Sequence, residues 1–224
     1  MIRAVVVAVP ARDEEQRLPA ALRSIAAVAR AVPVVVVVAP DACTDRTAEV
    51  ARSHGVLVVP SEAGRVGGAR DVAVRAGLAA AGEPAESVWV ANTDADCAVP
   101  PAWLDVHLRF AAAGVALLRG AVRLDPATSP ALARAWRRRN PPVEPHPYVH
   151  GANLGVRGDA YLAAGGFPDV AHDEDVALVG AVRALGLPTA STDRAPVVTS
   201  GRLDGRTDAG FAGYLRELQQ AVGF

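Results

Sequence analysis

Short apolar runs alternate along the first half of the chain with stretches whose apolar positions recur at helical spacing. Residues 2–9 are almost all small or β-branched apolar types, closed by Pro10, which predicts a strand buried on both faces. Asp13, Glu14 and Glu15 then open a helical pattern. Leu18, Leu22, Ile25 and Val28 share one face of it, and the acids suit a positive helix start. Residues 34–38 predict a second buried strand. A turn over 40–43 follows, with Thr44 as N-cap of a helix over 45–51. Gly55 ends that helix and 56–59 predict a third strand. A glycine-rich loop, 64–68, leads into a helix over 69–81, and a fourth strand over 87–91 runs straight into Asp94 and Asp96.

The second half is less regular. Helices are predicted over 101–112, 131–139, 173–185 and 210–222, and strands over 115–124, 151–156 and 197–200. A further helix after residue 156 is broken by Gly165 and Gly166. Residues 140–150, NPPVEPHPYVH, hold too many prolines for regular structure and read as a loop over a site.

Strands alternating with helices at this spacing imply an α/β fold with a mostly parallel central sheet flanked by helices. Ligands of such sheets lie beyond the carboxyl ends of the strands. Three polar loops fall there: 10–14, 41–45 and 93–96. No repeat and no linker divides the chain, so a single domain over 1–224 is expected.

Composition narrows the functional classes. Of 224 residues, 51% are apolar and 21% charged, an ordinary globular balance that needs no staples. The formal net charge of −1 gives no global field toward nucleic acid, which is excluded as a partner on that ground. The chain has no lysine, so every cationic phosphate contact falls to an arginine fork. Cys43 and Cys97 are too few and too far apart for a metal pattern and read as reduced thiols. The N-terminal apolar run is too short for a signal peptide, and no segment is long enough to span a bilayer, so a cytoplasmic location is expected. No Gly-x-Gly-x-x-Gly follows the first strand, which removes a dinucleotide-dependent dehydrogenase.

Asp94 and Asp96 pose the central question. Two carboxylates one residue apart repel unless solvent, an arginine or a metal ion stands between them. Hard divalent cations such as Mg²⁺ or Mn²⁺ take one or two carboxylates together with substrate phosphates. Asp173, Glu174 and Asp175, after Gly165-Gly166-Phe167, form a second acidic cluster at a helix start.

Taken in order, PARDEE, APDACTDRTAEVA, GRVGGARD, NTDADC, HGANLGVRGDAYLAAGGF and HDEDVAL resemble the family 2 glycosyltransferases, which have the GT-A (nucleotide-diphospho-sugar transferase) fold. The resemblance runs from about residue 5 to 185. It implies a nucleotide-binding half, 1–98, and an acceptor and catalytic half, 99–224. Pro10, Ala11, Glu14 and Asp41 then hold the nucleoside, with Arg70 near the nucleotide. Asp94 lies toward the ribose and, with Asp96, serves the metal. Asp175 is the general base of an inverting transfer, and Glu174 its paired acid. His150 either meets the donor phosphates or packs, with His146 and His172 as weaker candidates for a metal ligand. Arg202, with Arg206 nearby, either reaches the diphosphate or pairs at the surface with Asp204. Pro40 and Asp71 depart from the family pattern, which has an acid and an asparagine there. The donor implied is a UDP-sugar, with GDP- or dTDP-sugars as alternatives, and the acceptor is a hydroxyl. Arg137, Arg138 and Arg139 are either a solvated face or a contact for a phosphate-bearing acceptor. Two other functions stay open, a sugar-phosphate nucleotidyltransferase and a non-catalytic nucleotide-sugar-binding protein. The first is disfavoured because PARDEE lacks the glycine-rich loop such enzymes place after the first strand.

Overall fold

Every residue of β1 (Ala4–Ala11) is buried. The computed structural model, which describes residues 1–28, 32–205 and 210–221, places this strand inside the sheet. After it come α1 (Leu18–Val28), β2 (Val34–Pro40), α2 (Thr47–Ser53), β3 (Leu57–Val58), α3 (Val66–Ala81), β4 (Val88–Asn92) and β5 (Cys97–Ala98). The second half adds α4 (Trp103–Ala112), β6 (Leu117–Leu124), α5 (Pro130–Arg139), β7 (Leu154–Arg157), α6 (Gly158–Ala163), α7 (Glu174–Ala184), β8 (Thr189–Thr199) and α8 (Phe211–Ala221). Among the described residues the strands form one sheet in the order β3-β2-β1-β4-β7-β6-β8-β5.

Side chains alternate across β1 because a strand has a period of two. Val5, Val7 and Val9 pack into a core with Leu18, Leu22 and Ile25 of α1 and Trp103 and Leu104 of α4. Ala4, Val6 and Ala8 face a second core with Ala69, Ala73 and Val74 of α3 and Leu178, Val179 and Val182 of α7. Helices therefore cover both faces, as the unbroken apolar strand requires. Burying Leu18, Leu22 and Ile25 contributes on the order of 6 kcal/mol, an upper figure because the unfolded chain is itself compact.

The sheet is parallel through β3, β2, β1 and β4, as expected. β7 runs antiparallel to both β4 and β6, whereas β6 and β8 are parallel. β1 continues through Pro10, where a stop is predicted. Even-numbered β1 residues bond toward β4, as Thr93 N donating to the Ala8 carbonyl illustrates, and that pairing ends at Ala8–Asn92. The missing N–H of Pro10 thus faces no partner strand.

Helix starts differ more from the sequence pattern. α1 begins at Leu18 because Asp13, Glu14 and Glu15 are engaged elsewhere. Asp13 has φ 51° and accepts from Thr44 N at 2.7 Å, and Glu15 accepts from Arg46 N at 3.0 Å. The acids tie the first polar loop to the second instead of opening a helix. Thr44 is consequently no N-cap, and α2 starts at Thr47, whose N–H donates to Asp45 at 2.8 Å. α3 begins three positions early and absorbs Gly67, where a Cβ would lie 2.8 Å from the Pro168 carbonyl and 3.0 Å from Glu174 Cβ. β5 was not anticipated, and β8 is far longer than the predicted 197–200. No helix among the described residues is long and apolar enough to cross a membrane.

Candidate active site

The carboxyl ends of β2, β1 and β4 open on a cavity of about 690 Å³. Pro10, Ala11, Glu14, Asp41, Arg70, Asp94, Asp96, His150, Glu174, Asp175 and Arg202 all line it. The sequence-predicted residues, drawn from both halves, therefore share one space.

Each carboxylate is held in place. Asp41 is buried and accepts from Ser61 Oγ at 2.9 Å and Gly64 N at 3.1 Å. Arg70, only 4% exposed, donates to Asp94 Oδ1 at 2.6 Å through one nitrogen and to Glu174 Oε1 through the other. This fork joins the fourth-strand loop to the start of α7. Burial alone would disfavour the guanidinium charge, but Asp94, Glu174 and Asp175 outweigh it and hold Arg70 charged. For Glu174, burial pushes the carboxyl up while Arg70 pulls it back.

On the opposite side, Arg202 bonds Glu14 Oε1 and lies 3.3 Å from Asp96 Oδ2. Arg202 thus joins the site, not a surface pair with Asp204; Arg206 lies outside the described residues. Burial, reinforced by the charge of Asp94, pushes Asp96 up to about 6 against the pull of Arg202. The positive partners of the two aspartates in this structure are therefore Arg70 and Arg202.

Asp175 is half-buried and its oxygens are both fixed. Gly151 N donates to Oδ2 at 2.6 Å and Val176 N to Oδ1 at 2.8 Å. Gly151 has no room for a side chain, because a Cβ there would lie 2.3 Å from an Arg70 nitrogen. The turn holding Gly151 is pinned by Asn153, which is buried. Asn153 Oδ1 accepts from Trp103 Nε1 at 2.9 Å and from His107 Nε2 at 3.1 Å. Its amide donates to the carbonyls of Ala121 and Ala195. Trp89 Nε1 donates to His107 Nδ1 at 3.1 Å, so His107 carries its proton on Nε2. Burial pushes His107 down to about 4.

The remaining candidates separate. His150 packs between Trp136 and Tyr148 at ring distances of 5.6 and 6.3 Å, and burial pushes it down to about 4 despite Asp175. His146 is buried against Thr192 and Tyr148 and does not line the cavity, which removes it as a metal ligand. His172 is exposed and bonds Asp173. Asp71 also stays out of the cavity; it accepts from Tyr161 Oη at 2.6 Å and Arg75 Nε at 2.6 Å, tying α3 to α6. Arg137, Arg138 and Arg139 are exposed and none lines the cavity. Pattern reading missed Trp136, Phe211 and Tyr214 as lining residues. Their helical spacing marks them as buried-face residues and carries no signal of a ligand.

One ligand atom each from Asp94, Asp96 and Cys97 lies within 4.8 Å of the others. Burial pushes the Cys97 thiol far up, so it is neutral and no ligand for a hard cation. The two carboxylates converge as a partial set of hard oxygen ligands, a donor set that fits Mg²⁺ or Mn²⁺. A second group, Asp13, Cys43 and Asp45, offers a similar span, but backbone amides already occupy its carboxylates.

Residues 6–154 match the family described as Glycosyl transferase family 2. The chain belongs to glycosyl transferase family 2. Within it, this chain is similar to 4,4'-diaponeurosporenoate glycosyltransferase of Staphylococcus aureus, 47% identical over 57 residues, which are 25% of this chain and 15% of that protein. The family 2 fold here matches S. aureus TarS in complex with UDP-GlcNAc, with a TM-score of 0.68 at 15% identity over 99% of this chain and 65% of that one. It also matches a mannosyltransferase from Pyrobaculum calidifontis in complex with GDP-Man and Mn²⁺, with a TM-score of 0.66 at 20% identity over 95% and 59%. The glucosyl-3-phosphoglycerate synthase of Mycobacterium tuberculosis, in complex with Mn²⁺, UDP and glucosyl-3-phosphoglycerate, aligns with a TM-score of 0.62 at 16% identity over 98% and 80%. At these identities the likeness is one of fold, the GT-A arrangement of a mostly parallel sheet between helices. The chain spans about three fifths of the TarS chain's length.

Proposed function

We propose that this chain transfers a sugar from a nucleotide-diphosphate donor, a UDP-sugar in the first instance, to a hydroxyl acceptor with inversion at the anomeric carbon. The observation that carries the proposal is that Asp94, Asp96 and Asp175 line one cavity. Residues 1–98 act as the nucleotide-binding half and 99–224 as the acceptor half. The two unpaired cysteines suit a reducing, cytoplasmic compartment.

Asp41 and the start of the first polar loop receive the nucleoside. Asp94 and Asp96 would hold Mg²⁺ or Mn²⁺, and the cation, when bound, would stabilise the charge of the leaving nucleoside diphosphate. Arg202, already beside Asp96, exchanges its carboxylate partners for diphosphate oxygens. Asp175 accepts the acceptor hydroxyl's proton as that oxygen attacks the anomeric carbon. The bond from that carbon to the diphosphate oxygen breaks on the opposite face, and its electron pair leaves with the nucleoside diphosphate. Gly151 N and Val176 N hold the carboxylate in one orientation during the step. Arg70 offsets the repulsion between Glu174 and Asp94 and joins the two halves.

The test is transfer from UDP-sugars to a hydroxyl acceptor panel, with the product's anomeric configuration read by NMR. Inverted product, lost on chelation and restored by Mn²⁺, is expected. Retained configuration removes Asp175 as a direct base, and full activity in excess chelator removes the metal.

A further inference from the structure

Aromatic residues are scarce in this chain: three Trp, three Tyr and four Phe. Four of these ten gather at one end of the cavity, where Trp136, Tyr148, Phe211 and Tyr214 line it. They form a connected wall. Phe211 and Tyr214 meet the Trp136 ring edge-on at 5.2 and 6.0 Å, and Trp136 leads through His150 to Tyr148. His150 adjoins Gly151, whose N–H holds Asp175, so the wall begins beside the proposed base. Trp136 is itself covered and spends its N–H on the Val122 carbonyl. Phe211, by contrast, is 36% exposed although a ring of its size is normally covered. The Tyr148 and Tyr214 hydroxyls have no hydrogen bond among the described residues.

Charge is distributed the other way. The arginines that line the cavity are Arg12, Arg65, Arg70 and Arg202. Each reaches a partner on the nucleotide side or beyond it: Gly64, Asp169, Asp94 with Glu174, and Glu14 with Asp96 respectively. Among the described residues no arginine stands on the aromatic wall, and those of the α5 end, Arg137, Arg138 and Arg139, point to solvent. The rim beside Asp175 adds Asp173, another acid. His150 is held neutral by burial, so it offers no cation either. An anionic acceptor would meet the carboxylates of Asp173 and Asp175 here, with His172, itself bonded to Asp173, as the one basic side chain among the described residues of that rim.

We propose that this end of the cavity takes a neutral hydroxyl acceptor that lays a ring or hydrocarbon face on Phe211, Tyr214 and Tyr148. A face-on contact with aromatic rings is the recognition such a wall supplies, and the free tyrosine hydroxyls orient the acceptor's own hydroxyls. The inference rests on Asp175 being the base, because the wall is read as the acceptor side from its place beside that residue.

Tryptophan fluorescence and calorimetry test it on the whole chain with UDP and Mn²⁺ present. Trp89 and Trp103 are fully buried in the core, so Trp136 is the reporter at the cavity. The neutral probes are methyl glucoside, p-nitrophenyl glucoside and octyl glucoside, and 3-phosphoglycerate is the anionic one. At least one neutral probe is expected to bind saturably, with 3-phosphoglycerate silent. Binding of methyl glucoside assigns the wall to a sugar ring; binding of only the other two assigns it to an aglycone. Phe211→Ala should weaken neutral-probe binding at least ten-fold while UDP affinity stays within error. Phe211→Leu, which keeps Trp136 covered but removes the ring, should weaken it as well. The inference is overturned by saturable 3-phosphoglycerate binding, by silence of all three neutral probes while UDP binds, or by a Phe211→Leu affinity within two-fold of the parent. Failure of UDP to bind instead overturns the donor reading on which the inference stands.

Discussion

Arg70→Met removes the cation that joins the two halves of the site. Arg70 is 4% exposed, and its fork serves Asp94 and Glu174, whose side chains are 31% and 7% exposed. Solvent takes over for Asp94, so the loss is set by Glu174, left as a buried carboxylate without a partner. Truncating one member of a buried pair costs about 3–5 kcal/mol, and one such cost, not two, is expected here. The sign with pH follows from Glu174, which burial already pushes up and Arg70 pulls down. Without Arg70 the folded-state value rises further, so protonation relieves the penalty. The deficit of the variant is therefore full at pH 8 and shrinks as pH falls through the raised value. Urea unfolding at pH 8 and pH 5.5 should give a loss of about 4 kcal/mol at the higher pH and a smaller loss at the lower. Glu174→Gln in the same chain should restore at least ~2 kcal/mol, since a neutral amide needs no counter-charge. A loss below ~1 kcal/mol, or one that neither falls with pH nor responds to Glu174→Gln, would refute the account of this fork.

Two further substitutions probe the scaffold. His107 is pushed from 6.5 down to about 4, so the unfolded chain takes its proton first and the stability it contributes above pH 6.5 is lost as pH falls toward 4. Between pH 8 and pH 5 the parent should lose about 2 kcal/mol more than His107→Gln, which cannot titrate; equal losses by thermal or urea unfolding would contradict a buried neutral imidazole. Asp71→Asn gives up the Arg75 pair but keeps an acceptor for Tyr161, and it lies off the cavity. It should cost under ~1 kcal/mol and leave transfer kinetics unchanged, whereas a large rate loss would place Asp71 in the chemistry.

Strand positions and the cavity acids were legible because they follow from strong local rules. A continuous apolar run such as β1 has one good fate, and loops after parallel strands point to one side of a sheet. Helix starts were misread where tertiary partners outbid local capping. Asp13 and Glu15 look like a first helical turn, yet their carboxylates serve amides of residues 44 to 46, a contact invisible in the linear pattern. The direction of β7 was equally hidden, because an apolar run does not state which neighbour it joins. Within the site, the order of motifs found Asp94, Asp96 and Asp175. It gave Arg70 as a residue near the nucleotide but not the fork by which Arg70 also holds acids from both halves. The aromatic wall escaped because Trp136, Phe211 and Tyr214 come from two helices far apart in sequence, each with ordinary core spacing.

Asp175→Asn tests the account most directly. The amide keeps the size of the side chain but cannot take up a proton, so donor affinity measured by calorimetry should stay within about two-fold while transfer falls by at least about a hundred-fold. Transfer near the parent rate, or donor binding that fails along with it, would contradict the assignment of proton removal to residue 175 and donor binding to residues 94 and 96.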